Sequence, residues 1–326
     1  MHYENIRVDK SLYKSSGGFA SALEKLDPSE RYTGSELGGL DAFARQLKRF
    51  GIKVSGPGSS TIAKFFSTAD SAALFPEYVS RAVAQGAREE SVIEQIVSAT
   101  TEINSLDYRS ITTDISCPDL DDTIGEGQDI PVTNITLNEN LVTLRKRGRL
   151  LRASYEAIKF QRLDVFTVAL RQIGSFIAKA QLKDAMDVLQ NGAQSVTATG
   201  GQLAFSDLLE LWSLFEDFEM NVMLASPATA ARIMNIPELR DPLSGHSFAA
   251  GSGLGTPLGA KLIKTAAAPE GRIIALDRGY ALEKVTAGGV QVEYDKLIDS
   301  QLERASVTSI AGFSKLFPDA VKVLEF

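Results

Sequence analysis

The longest regular pattern in the chain runs from Asp164 to Leu189, "DVFTVALRQIGSFIAKAQLKDAMDVL". Phe166, Leu170, Ile173, Ile177 and Ala180 recur at i, i+4, i+7, i+11 and i+14, the spacing of one helical face. Asp164 reads as the N-cap and Asn191-Gly192 as the stop. At ~1.5 Å per residue the predicted rod is roughly 40 Å long, well beyond the usual helix.

Shorter patterns surround it. In "LDAFARQLKRF", Leu40, Phe43, Leu47 and Phe50 share one helical face. In "ALFPEYVSRAV", Pro76 suits a first helical turn, and Tyr78, Val79, Ala82 and Val83 keep helical spacing until Gly86 interrupts it. Val92, Ile93, Ile96 and Val97 begin a second apolar face, after which "EINSLDYRSITTDIS" has strand composition. "SDLLELWSLFEDF" predicts a helix capped by Ser206, with Leu208, Leu211, Trp212 and Phe215 facing a core. "NVMLAS" predicts a buried strand, "PATAARIMNI" a helix opened by Pro227, and "AKLIKTAAA", "RIIALDRGYALEKV" and "VQVEYDK" further strands. The last residues predict two strands around "FPDA". This order is that of an α+β fold. The first 70 or so residues are rich in Gly, Ser and charge, cannot bury much by themselves and read as an arm that packs on something else.

One stretch fits no such pattern. Residues 125–156, "GEGQDIPVTNITLNENLVTLRKRGRLLRASYE", predict a long, polar, two-stranded arm turning at 138–140. Its approach is acidic, with Asp119, Asp121, Asp122, Glu126 and Asp129. Its return is basic, with Arg145, Lys146, Arg147, Arg149 and Arg152. Val132, Ile135 and Leu137 are scattered apolar positions, and Leu141, Val142 and Leu144 form a thin set. A hairpin this polar is marginal in water on its own.

Composition narrows the chemistry. The 326 residues are 44% hydrophobic and 23% charged, ordinary for a globular chain, and no apolar run is long enough to suggest a transmembrane helix. The start lacks the apolar region of a secretion signal. A net charge of -7 argues against a protein that mainly grips nucleic-acid phosphates. With only two histidines, His2 at the start and His246 in the Gly-rich loop, a Ser-His-Asp or Cys-His arrangement is hard to build, and a His-based zinc site equally so. The single cysteine, Cys117, sits among aspartates, an environment that disfavours a thiolate. The 251–259 loop, "GSGLGTPLG", lacks the Lys-Ser/Thr of a phosphate loop, and Asp119, Asp121 and Asp122 lack the Gly and Glu positions of an EF-hand. No catalytic, cofactor or metal residue is assigned. The oppositely charged arm instead suits pairing between copies, with Asp119, Asp121, Asp122, Glu126, Arg145, Lys146, Arg147, Arg149 and Arg152 as contact candidates.

With "ALFPEYVSRAV", "EGQDIP", "VTLRKRGRLLRASYEAI", the helix through "LQNG" and "SVTSIAGFSKLFPDAVKVL" in this order, the chain resembles the major capsid proteins of tailed bacteriophages, of the Hong Kong 97 type. The resemblance covers about residue 60 to the end. It implies an N-terminal arm at 1–75 and an extended loop at 107–154 lying across the adjacent subunit. It implies a peripheral domain from 76–106, 155–199 and 286–326, with its spine helix at about 164–189, and an axial domain at 200–285. It further implies a non-enzymatic protein that assembles as pentamers and hexamers into an icosahedral head, formed in the host cytoplasm and enclosing double-stranded DNA without binding it specifically. No cofactor and no membrane are implied; portal, scaffolding or decoration proteins are the further partners the resemblance admits. An encapsulin-like cargo compartment is the alternative within the fold, and a nucleotide-binding enzyme using 251–259 the alternative outside it.

Overall fold

A computed structural model describes residues 6–15, 17–89, 92–105, 107–114, 126, 134–198, 203–240, 257–297 and 302–326. In chain order the helices and strands begin with α1 (Gly18–Leu26), α2 (Ala42–Arg49), α3 (Ala69–Ala73) and α4 (Phe75–Glu89). Then come β1 (Ala99–Glu102), β2 (Ile111–Asp114), β3 (Asn134–Leu137), β4 (Arg145–Ser154), α5 (Tyr155–Phe160) and α6 (Leu163–Gln190). After β5 (Gln194–Thr197) follow α7 (Phe205–Ser213), β6 (Val222–Ala225), α8 (Pro227–Met234) and α9 (Pro237–Arg240). The chain ends in β7 (Lys261–Lys264), β8 (Arg272–Leu276), β9 (Leu282–Thr286), β10 (Gln291–Leu297), β11 (Leu302–Lys315) and β12 (Val321–Glu325). Packing divides it into two units: Met1–Glu90, Arg147–Ala178 and Val290–Ser309 form the first, and Ser91–Lys146, Lys179–Gly289 and Ile310–Phe326 the second.

In the first unit the N-terminal residues do more than the composition suggests. Val8, Phe19, Leu23, Phe43, Leu47, Ile62, Phe65 and Leu74 are buried in one cluster with Tyr78, Val83, Leu163, Leu170 and Ile177. The apolar positions of α1 and α2 are few, but each is used. A buried guanidinium ties their loops together: Arg45 Nε donates to Asp27 at 3.0 Å, its Nη1 to Ser29 at 2.9 Å, and its face lies 4.6 Å from the Tyr32 ring centroid. Tyr78 donates to the Leu163 carbonyl and sits 2.7 Å from the Thr167 hydroxyl; burial pushes its phenol up to about 12, so it stays a donor.

Gly86 interrupts the apolar spacing but not the helix. Helix α4 continues to Glu89 because Gly86 and Gly174 are where α4 meets α6 backbone to backbone. A Cβ on Gly86 would overlap the Arg171 carbonyl, and one on Gly174 the Val83 carbonyl. The small residue is demanded by the crossing rather than by a turn.

In the second unit a sheet runs β5-β12-β8-β6-β7. Strands β6 and β8 read as apolar runs because both faces are covered. Leu182, Met186, Leu189, Leu224, Ile274 and Val323 fill one side; Leu208, Leu211, Met223, Ile233, Ile273 and Leu324 fill the other. On α7 the expected core face is only partly met. Leu208 and Leu211 are buried and Phe215 half-buried, but Trp212 is 51% exposed. The helix starts two residues earlier than predicted: its N-cap is Ala204, whose N–H is bonded by the Asp207 side chain, and not Ser206. Likewise α6 starts at Leu163, placing Asp164 in its first turn. Ser226 caps α8, opened by Pro227 as expected.

Alanine at Gly174 is expected to force α4 from α6 and destabilise the protein by about 1–3 kcal/mol, an overpacking cost read by urea or thermal unfolding. An unchanged midpoint would mean that this crossing is not tight.

Candidate functional site

The loop between β1 and α5 is held at both roots within the second unit. On the outgoing leg, the hydroxyls of Tyr108 and Ser110 both donate to the carboxylate of Glu283 on β9, Tyr108 at 2.7 Å. Thr101 of β1 joins them at 2.5 Å. Glu283 is only 4% exposed, so its charge is satisfied by these three donors rather than by water. Burial, then the bond to Glu283, raises the Tyr108 phenol above its ordinary value. The return leg presses on β11: a Cβ on Gly312 would lie 2.8 Å from the Thr143 carbonyl and 3.0 Å from Val142. The two legs meet through Val142 N–H to Tyr108 O (2.9 Å) and Asn138 N–H to Ser110 O (2.8 Å). Beside the return leg is an open cleft of about 490 Å³, lined by residues including Asn138, Leu141, Arg145, Asp184 and Lys315.

Beyond these roots the pairing differs from the sequence expectation. The strands flanking the 138–140 turn, β3 and β4, do not pair with each other. Strand β3 pairs antiparallel with β2, Ile111 opposite Leu137 and Thr113 opposite Ile135, while β4 pairs with β11. The arm is therefore the short β2–β3 ribbon, and the basic strand belongs to a sheet. Strand alternation puts Ile135 and Leu137 on one face of the ribbon, with Ile111 opposite Leu137. They are 67%, 64% and 51% exposed. Composition missed this face because Ile135 and Leu137 look scattered until β2 brings Ile111 beside them; their period-2 spacing was the available signal.

The charged candidates fall in different settings. Arg145 is exposed but paired within its own chain, 2.5 Å from Asp184. Lys146 and Arg152 are exposed. Arg147 is half-buried and engaged by the chain. Arg149 is exposed, its guanidinium 3.7 Å from the Phe176 ring centroid on α6, a cation–π contact. That contact lies in the first unit, where Val165, Val168 and Phe176 form an exposed apolar stripe on α6. Glu126 is exposed, and Asp119, Asp121 and Asp122 lie outside the described residues, as do Cys117, His246 and 251–256. Among the described residues no His/Cys/Asp/Glu group is arranged to hold a metal, and no helix is long and apolar enough to cross a membrane.

A family model described as "Phage capsid protein" matches residues 138–313. No curated protein matches the sequence. Among solved structures, the chain is similar to the virus-like particle from Pyrococcus furiosus, at 14% identity and TM-score 0.53, covering 77% of this chain and 99% of that one. It is similar to the SrpI encapsulin of Synechococcus elongatus PCC 7942, at 16% identity and TM-score 0.54, covering 73% and 88%. It is also similar to a chain of Microbacterium phage Oxtober96, at 13% identity and TM-score 0.55, covering 72% and 91%. The fold is thus the α+β fold of Hong Kong 97-type capsids.

Because the apolar ribbon residues already face water, replacing Ile135 and Leu137 together by Asp should leave subunit stability within about 0.5 kcal/mol of the parent in urea unfolding. A larger loss would place the ribbon in the subunit's own core.

Proposed function

The chain belongs to the phage capsid protein family, and we propose that it builds the head of a tailed double-stranded DNA phage, as pentamers and hexamers closed by contacts between unlike surfaces. The observation that carries this reading is the β2–β3 ribbon, rigidly rooted yet presenting Ile111, Ile135 and Leu137 to solvent. A two-stranded ribbon gains its stability from a surface that completes it. The proposed completing surface is a second copy of the chain.

The electrostatic candidates fit the same reading. Lys146, Arg147, Arg149 and Arg152 offer cations along β4, and the sequence from Asp119 to Asp129 offers anions on the loop. Between copies, such pairing steers encounter and fixes register more than it adds affinity. Arg145 is the weakest of these candidates, since its charge already answers Asp184. Net acidity of the chain suits a wall around DNA that need not bind it tightly.

Similarity to an encapsulin at nearly the same TM-score favours a second reading, a shell enclosing protein cargo. Contents distinguish the two: nuclease-protected DNA in particles from the native source supports a phage head, and a co-purifying protein without DNA supports the cargo shell.

Electron microscopy of the purified chain is expected to show closed particles tens of nanometres across; monomers or dimers under all conditions would overturn the reading. Glutamate at Arg149 and Arg152 should reduce closed particles at least tenfold at low ionic strength while leaving the circular dichroism of the subunit unchanged. Normal particles from that variant would remove β4 from the contact.

A further inference from the structure

Glu283 lies in β9, far in sequence from the ribbon, yet its carboxylate receives both hydroxyls of the outgoing leg. Tyr108 and Ser110 are two residues apart, so in an extended segment they point to the same side. Ile111 follows directly and points to the other. The burial values agree: Ser110 is fully buried and Ile111 half-exposed. The same two residues pass the constraint on. Their carbonyls accept from Val142 and Asn138, so the return leg takes its register from the outgoing one. A slip of one residue in a strand turns every side chain to the opposite face. Here it would bury Ile111 against a carboxylate and expose the Ser110 hydroxyl.

We propose that Glu283 is a positioning residue for assembly, a carboxylate clasp on Tyr108 and Ser110 that fixes which face of the β2–β3 ribbon is turned outward. Its effect on assembly rests on the shell reading above; its effect on the ribbon does not. Other buried carboxylates of this unit make other links. Asp277 takes the N–H groups of Glu219 and Gly279 and the Asn221 amide, joining its own turn to the segment before β6, and Asp184 takes Arg145 on the return leg. Glu283 is different because two of its three donors belong to the loop that leaves the sheet. Thr101, the third, sits on β1, which is paired in parallel with β9, and so ties the clasp to the sheet.

The test uses the full chain with Glu283→Ala and Glu283→Gln, and with the gentler pair Tyr108→Phe and Ser110→Ala, each of which deletes one hydroxyl and keeps the carboxylate. Backbone amide exchange is measured on the unassembled subunit. The expected result is at least a tenfold faster exchange for residues 111–114 and 134–142 in Glu283→Ala, with β8 and β12 changed less than twofold. Glu283→Gln, which retains acceptors, should recover part of that protection. Particle yield should fall in the same order. Should Glu283→Ala fail to fold, the Tyr108→Phe/Ser110→Ala double variant carries the test with the same expectation. Unchanged ribbon exchange in a folded variant would overturn the clasp. Faster exchange with full particle yield would overturn its role in assembly. If the parent chain forms no particles at all, the shell reading fails while the exchange result still decides the clasp.

Discussion

Helix α6 is the constraint on which the rest depends, because one 28-residue helix supplies apolar positions to two cores. Its first half buries Leu163, Phe166, Leu170 and Ile177 with the N-terminal helices; its second half buries Leu182, Met186 and Leu189 under the β5-β12-β8-β6-β7 sheet. A helix that serves a core on one face ordinarily shows water a polar face. The first half of α6 instead shows Val165, Val168 and Phe176, with Arg149 laid on Phe176. Gly174 allows α4 to approach the opposite side so closely that no other part of the chain is needed there. The stripe is left over once the internal packing has been satisfied.

The loop shows the same division between what is finished and what is not. At its roots, polar groups are matched: three hydroxyls on Glu283, two backbone bonds between the legs, and an ion pair from Arg145 to Asp184. A buried carboxylate with one donor missing costs far more than an exposed one, so the root resists rearrangement. A few residues further on, the ribbon has apolar side chains in water and four-residue strands. Rigid support beneath an uncompleted tip orients the tip without stabilising it. That is useful for a surface whose partner arrives later, since orientation settled beforehand lowers the ordering cost of the contact.

How far the sequence could be read follows from how local each cause is. Helix α6, the apolar run of β6 and the terminal β11 and β12 were legible because the apolar pattern lies within the element itself. The resemblance to capsid proteins rested on the order of such elements. Gly86 interrupts the apolar pattern for a reason far off in sequence, the backbone of Arg171, 85 residues on. The N-terminal segment reads as an arm that packs on something else, and its sparse apolar residues carry no local sign that the surface it packs on is α4 and α6. Trp212 was turned inward by helical spacing alone, although Leu208 and Leu211 already fill that side of α7. The 138–140 turn suggests a hairpin of β3 with β4, whereas β4 finds a longer partner in β11 and β3 pairs with β2. Glu283 gave no local signal at all, since its three donors come from two other segments.

In the proposed shell, the polar loop that fits no internal pattern becomes a physical requirement. A surface that gives and a different surface that receives can repeat around a ring until it closes, which a self-complementary patch cannot do beyond a pair. The giving surface must be exposed before assembly, so it cannot be strongly apolar without making the free subunit aggregate. Three aliphatic side chains on a small ribbon satisfy that limit, and flanking charge supplies the discrimination that so small an apolar area lacks. Each contact is then weak alone. Closure makes the contacts collectively strong, because in a closed shell no copy is left with its ribbon unmatched.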